Sequence, residues 1–295
     1  MKTKLNIEMR KPGKIIDEEH LFREMAYEFN TSISKATYVE VIHKNYIEFI
    51  SRYKVGGVAK VELGDLMLLT YDKATTELRI CILQAKYRSK KYYYFLDFKA
   101  DIFQWELLKE KPDVTNISRR FDFPKHILNF RNDYESITAY GIFYHDNISG
   151  DIDFLYTLPR CINPNMIPTS RVTKCEPKFS FRCPKLLGSP NRLCRAGIFH
   201  KETISSCSID VFEQQVLRCK VGAPINDKEV KRWVIHLLHS YKGRATIPEV
   251  IDELLGYLNV GDSIEEDNYD FECVPSVLVV VTDSEKVINE VINID

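Results

Sequence analysis

Asp65, Gln84 and Lys86 are the residues of this chain whose types and spacing could do chemistry together. Asp65 opens the apolar run Leu66-Met67-Leu68-Leu69, and the polar segment from Asp72 to Glu77 turns the chain. Ile80-Cys81-Ile82-Leu83 then leads into Gln84-Ala85-Lys86. In a strand, residues i and i+2 point to the same side, so Gln84 and Lys86 project together. If the two runs pair as a hairpin, Asp65 sits beside them at one end of a sheet. A carboxylate, an amide oxygen and a lysine meeting there can hold one divalent cation and orient a water beside it, which suits metal-dependent phosphodiester hydrolysis. The plainer reading makes Asp65 a turn residue after Gly64, Lys86 a solvated strand-end lysine and Gln84 a polar residue on an exposed face. Against it, Ile80 to Leu83 are apolar on both faces, so the strand belongs in the centre of a sheet covered on both sides. A Gln and a Lys ending such a strand need a polar destination.

At Gly64-Asp65 and Ile82-Leu83-Gln84-Ala85-Lys86 the chain resembles the PD-(D/E)XK nuclease superfamily, and within it the branch with Gln before the x-Lys, as in Mrr-type restriction enzymes. The resemblance covers roughly residues 35–145. It implies an α/β fold with a restriction-endonuclease-like core: a helix, three antiparallel strands, a helix and a further strand. It also implies a Mg2+-dependent (or Mn2+-dependent) endodeoxyribonuclease, with Asp65, Gln84 and Lys86 catalytic and the metal held by Asp65, the Ala85 carbonyl and an acidic residue from the first helix. Gln84 departs from the commoner Glu, and its weaker, neutral ligand puts a second metal in doubt. The competing class is a nuclease-fold module that has lost catalysis and binds nucleic acid or a partner protein without cleaving.

The elements that must position these residues follow from periodicity. Asp17 to Phe29 predicts a helix with Leu21, Phe22, Met25 and Phe29 on one face. A second helix is predicted from a Ser34 cap to about Arg52, with Tyr38, Val41, Ile42, Tyr46, Phe49 and Ile50 three and four apart. Glu40 on that helix is the expected further metal ligand, ahead of Glu48, Glu24 and Glu28. Gly56-Gly57 ends the helix and Val58 to Val61 predicts a strand. After the motif, Lys99 to Glu110 reads as a helix stopped by Pro112, and Ile137 to Tyr144 as a strand. Gln104 on the later helix is placed toward the same cleft. With Arg88, Lys90 and Lys91 it makes the candidate nucleic-acid contact. Further basic candidates are Arg119, Arg120, Arg182, Lys185, Arg192 and Arg195.

Three stretches are expected: a nuclease core with N-terminal helices over 1–145, an irregular Cys-, Pro- and Arg-rich lobe over 146–222, and a small helical and strand module over 223–295. The last holds predicted helices at Asp227 to Tyr241 and Pro248 to Leu258, then a strand at Val277 to Val281. Its order hints at a winged-helix-like or capping module, giving a C-terminal α+β accessory region.

A formal net charge of −1 argues against a purely electrostatic polyanion binder, though not against a local basic channel. The acidic stretch Asp262 to Asp267 would repel DNA. No segment approaches the ~20 unbroken apolar residues of a membrane helix, and the N-terminus lacks a secretory h-region. The cytoplasm and no membrane partner are therefore expected. Eight cysteines then read as free thiols. No C-x2-C pair makes a zinc site, although Cys175, Cys183, Cys194 and His200 or Cys207 could form a long-range one; structural Zn2+ is disfavoured. Phosphate-cradling and hydrolase signatures are absent. DNA is the expected partner, with a regulatory ATPase or sensor protein suggested by family analogy and a homo-oligomer left open.

Overall fold

Val277 to Val281, five apolar residues near the end of the sequence, form the strand that lies directly against the one carrying Asp65. The computed structural model describes residues 18–31, 34–41, 46–88, 96–116, 124–134, 136–145, 150–181, 197–199, 202–206, 208–258 and 275–287. The first half supplies α1 (Glu18–Glu28), β1 (Ser34–Val39), β2 (Tyr46–Ile50), β3 (Val58–Glu62), β4 (Leu66–Asp72), β5 (Glu77–Arg88) and β6 (Leu96–Lys99). Next come α2 (Ile102–Glu110), β7 (Thr115–Asn116), β8 (Thr138–His145), β9 (Ile152–Thr157), β10 (Asn163–Pro164) and β11 (Lys178–Phe181). The remainder is β12 (Gly197–Phe199), β13 (Glu202–Ser206), α3 (Ile209–Leu217), β14 (Ala223–Pro224), α4 (Lys228–Tyr241), α5 (Pro248–Leu258) and β15 (Ser276–Thr282).

The fold is mixed α/β. One nine-stranded sheet runs β1-β15-β4-β5-β8-β9-β13-β12, with β14 added on β5. β4 and β5 form the expected antiparallel hairpin, and α2 then carries the chain to β8, parallel to β5. Both faces are covered. On one, α2, α4 and α5 pack over Met67, Leu69, Ile80, Ile82 and Ile142. On the other, α1 and α3 pack over Leu66, Leu68, Cys81, Leu83 and Phe143. Two-sided burial is what the unbroken apolar runs of β4 and β5 require.

The helix predicted from Ser34 to Arg52 does not form. The segment gives β1 and β2 instead, on either side of residues 42–45, which lie outside the described residues. Thr37, Tyr38, Val39, Tyr46, Ile47, Phe49 and Ile50 are β-branched and aromatic types that suit a pleated surface. β1 pairs along its whole length with β15, an interaction that no local period reveals. The order of three antiparallel strands is also altered: β3 pairs with β2 in a separate small sheet, and the neighbour of β4 is the parallel β15.

Helix α1 matches the first predicted helix, and α2 starts later than Lys99 because Asp101 caps it, its side chain accepting from the Phe103 N–H at 2.8 Å. Helix α4 starts one residue after Asp227, which caps it, and α5 and β15 fall where predicted. The main sheet does not end near residue 145. β9 and β13 come from the 146–222 stretch and β15 from the 223–295 stretch, so all three expected stretches contribute to one sheet. Of the six cysteines between Cys161 and Cys219, Cys161, Cys175 and Cys219 are free thiols, as is Cys81. Cys183, Cys194 and Cys207 lie outside the described residues, as do His200, Arg119, Arg120, Arg182, Lys185, Arg192, Arg195 and the stretch 262–267. No described helix is long and apolar enough to cross a membrane.

Candidate active site

Strand β5 runs on past the start of β4, since Leu66 pairs with Leu83 and β5 continues to Arg88. Asp65 stands at that step. Its N–H bonds the Leu83 carbonyl at 2.9 Å. Its carboxylate accepts from the Gln84 Nε2 and, at 2.6 Å, from the Ala85 N–H, which β4 no longer reaches. The N–H and C=O of a strand residue point the same way, so the Ala85 carbonyl also projects to the Asp65 side. Gly64 makes the approach possible: a Cβ there would lie 2.7 Å from Ile82 Cγ2 and 3.0 Å from the Leu83 oxygen.

Gln84 and Lys86 alternate with Ala85, so they share the face that carries Ile80 and Ile82, beneath α2. Gln84 is buried and Lys86 half-buried. Register extends the polar line sideways, because Gln84 pairs with Tyr140 on β8 and Tyr140 with Thr157 on β9. Paired residues share a face, so Gln84, Tyr140 and Thr157 form a row about 10 Å wide across three strands. Above it, Thr138 Oγ1 donates to the Leu108 carbonyl at 2.6 Å, fixing α2 on β8. Gln104, one turn back from Leu108 on that helix, is buried as well.

Four buried polar atoms here, Gln84 Oε1, Tyr140 Oη, Thr157 Oγ1 and Gln104 Nε2, have no hydrogen-bond partner among the described residues. Tyr140 and Thr157 are 0% exposed, Gln84 5% and Gln104 7%. Burial, reinforced by the negative charges of Asp65 and Asp101, pushes the Tyr140 phenol far above its ordinary pKa, so it stays protonated. Burial also raises the Asp101 carboxyl, against the opposing hydrogen bond from Phe103.

The structure thus brings Asp65, Gln84 and the Ala85 backbone together and sets Lys86 on the face of Gln84. It does not bring Glu40 to them. Glu40 follows β1 and pairs with Arg23 of α1, on the face where Tyr38 and Ala36 pack against that helix. The helix expected to aim it at the metal is absent. Gln104 is only 7% exposed, too enclosed to be a surface contact for nucleic acid. The backbone of Arg88 is the last described residue of β5, and Lys90 and Lys91 lie outside the described residues. Sequence reasoning missed Asp101, Tyr140 and Thr157. Asp101 had a signal as the cap before an apolar helix, whereas Tyr140 and Thr157 acquire meaning only from strand register.

Gln84 Oε1, the Asp65 carboxylate and the Ala85 carbonyl are all oxygen donors, which fits a hard cation such as Mg2+ or Mn2+ better than zinc. No group of three His, Cys, Asp or Glu side chains suited to a metal occurs among the described residues, so such an ion would keep much of its water. The chain matches no protein-family model, no curated protein and no solved structure.

Proposed function

We propose that the chain is a metal-dependent nuclease that hydrolyses DNA phosphodiester bonds at the step between β4 and β5. The observation that carries this reading is the Asp65 carboxylate joined to Gln84 and Ala85, with Lys86 projecting on the face of Gln84. The path from the β4–β5 hairpin through α2 to a strand parallel to β5 supports it, being in keeping with a restriction-endonuclease-like core. Asp65, Gln84 Oε1 and the Ala85 carbonyl would hold the ion. A bound divalent cation supplies polarisation of the scissile phosphate and acidification of a water. Lys86 orients the attacking water and offsets charge growing on the phosphate oxygens. Asp65 keeps the end of β5 fixed, so Gln84 and Lys86 are held in register for that task.

A second reading is favoured by the neutral Gln84 and the absence of a three-ligand cluster among the described residues: a module of similar architecture that binds DNA without cutting. Incubating the full chain with plasmid and single-stranded DNA, in Mg2+, Mn2+ or EDTA, separates the two. The nuclease reading expects metal-dependent nicking that Lys86→Ala loses. Binding that ignores metal, with no nicking in any condition, would favour the second reading. An enzyme of this kind needs restraint in its host, and a regulatory ATPase or sensor protein is the class of partner proposed.

A further inference from the structure

The row that leads away from Asp65 is a costly thing to bury. An unsatisfied polar atom in a core is destabilising, and native structures keep few of them. Here three sit on adjoining ladder positions, Gln84 and Tyr140 paired across β5–β8 and Thr157 next on β9, and a fourth, Gln104 Nε2, comes from the helix that covers this face. Their chemistry is complementary. Gln84 Oε1 only accepts, Gln104 Nε2 only donates, and the two hydroxyls do either. Such a set suits water, which makes about three hydrogen bonds when buried.

We propose that Gln84, Tyr140, Thr157 and Gln104 form a socket for the water shell of the divalent cation at Asp65, extending that site sideways beneath α2. The inference rests on the reading of Asp65 as a cation ligand. Mg2+ dehydrates reluctantly and keeps several waters when few side chains ligate it. Those waters need acceptors and donors around them, and outer partners of this kind orient the ligands they touch. Tyr140 and Thr157 are positioning residues in this scheme: they act through water on Gln84 and Asp65. The polar atom nearest along the ladder, Tyr140 Oη, has the largest role, and Thr157, one strand further, a smaller one.

Thermal unfolding of the full chain in a MgCl2 titration without DNA tests this, using wild type, Asp65→Asn, Tyr140→Phe and Thr157→Val. The wild-type Tm is expected to rise with Mg2+ and that of Asp65→Asn to stay flat. Tyr140→Phe is expected to need about tenfold more Mg2+ for half the rise, the scale seen for outer-shell partners. Its metal-free Tm should equal or exceed wild type, because an orphaned hydroxyl has gone. Thr157→Val should shift the midpoint the same way by less. Wild-type midpoints in both hydroxyl variants would overturn the socket and leave a cation at Asp65 standing. A lower metal-free Tm with an unchanged midpoint would assign the hydroxyls to the fold and overturn the socket equally. A wild type indifferent to Mg2+ would overturn the cation reading and the socket with it.

Discussion

Asp65 and Asp72 stand at the two ends of β4, and their surroundings could hardly differ more. Asp72, 1% exposed, is saturated. It accepts from the Ala74 N–H at 3.2 Å and Thr75 Oγ1 at 2.7 Å within its own turn. It also accepts from the Ser284 N–H at 2.9 Å and Oγ at 2.6 Å, tying the turn to the segment after β15. Burial works against its ionisation, but these donors, Ser284 foremost, prevail and hold the carboxyl below its ordinary pKa. Asp65 is bonded to Gln84 and Ala85, yet beside it lie Gln84 Oε1 and Tyr140 Oη with unused capacity. The Asp72 carboxylate has four donors of its own, whereas the polar atoms beside Asp65 keep unused capacity.

Substitutions at the two ends should therefore fail differently. On the nuclease reading, Asp65→Asn, which keeps an oxygen to accept from Ala85, should cut DNA cleavage by about 10³-fold while the metal-free Tm scarcely moves; a plasmid-nicking assay beside a metal-free melting curve reads both. Asp72→Ala should do the reverse. Losing charge-assisted bonds in a buried turn should cost roughly 3 kcal/mol, measured by denaturant unfolding, with cleavage per folded molecule retained. If Asp72→Ala instead stopped cleavage without destabilising, the contrast between the ends would collapse. Gly64→Ala should lie between, costing about 1–3 kcal/mol as its Cβ presses on Ile82 and the Leu83 carbonyl. It should also slow cleavage, since it displaces Asp65.

Acid sharpens the comparison. Because the Asp72 pKa is lowered on folding, its contribution is complete above the unfolded carboxyl pKa and is lost as pH falls through the folded one. Asp72→Asn should flatten the acid limb of a Tm-against-pH curve relative to wild type, and the Tm difference between the two should be largest near neutral pH, where the lost charge-assisted bonds count in full. The smallest effect belongs to Glu40→Gln. Its carboxylate is 36% exposed in its pair with Arg23, so stability should fall by less than about 1 kcal/mol. Nicking should persist, because Glu40 lies on the face opposite Asp65.

What could be read from the sequence was local. The β4–β5 hairpin was legible because a two-sided apolar run, a polar turn and a second such run lie within one short stretch. Asp65 beside Gln84 follows from that hairpin alone. The segment from Ser34 was misread because its apolar residues fit spacings of three and four as well as they fit alternation. The deciding partner, β15, lies at the other end of the described chain. Tyr140 and Thr157 were hidden for a related reason. ITAYGIFY announces a strand, but which residue faces Gln84 depends on how far β8 slides along β5.

The position of β15 carries a consequence for the order in which the molecule is completed during synthesis. β15 separates β1 from β4, which are both made well before it, and it bonds to both. Until Ser276 to Thr282 appears, β4 has one bare edge and the step that holds Asp65 lacks its flank. Such long-range pairing is slow to form. The edge beside Asp65 therefore comes into register only after Thr282 has been made, and a product that stops before Ser276 keeps β4 without that partner.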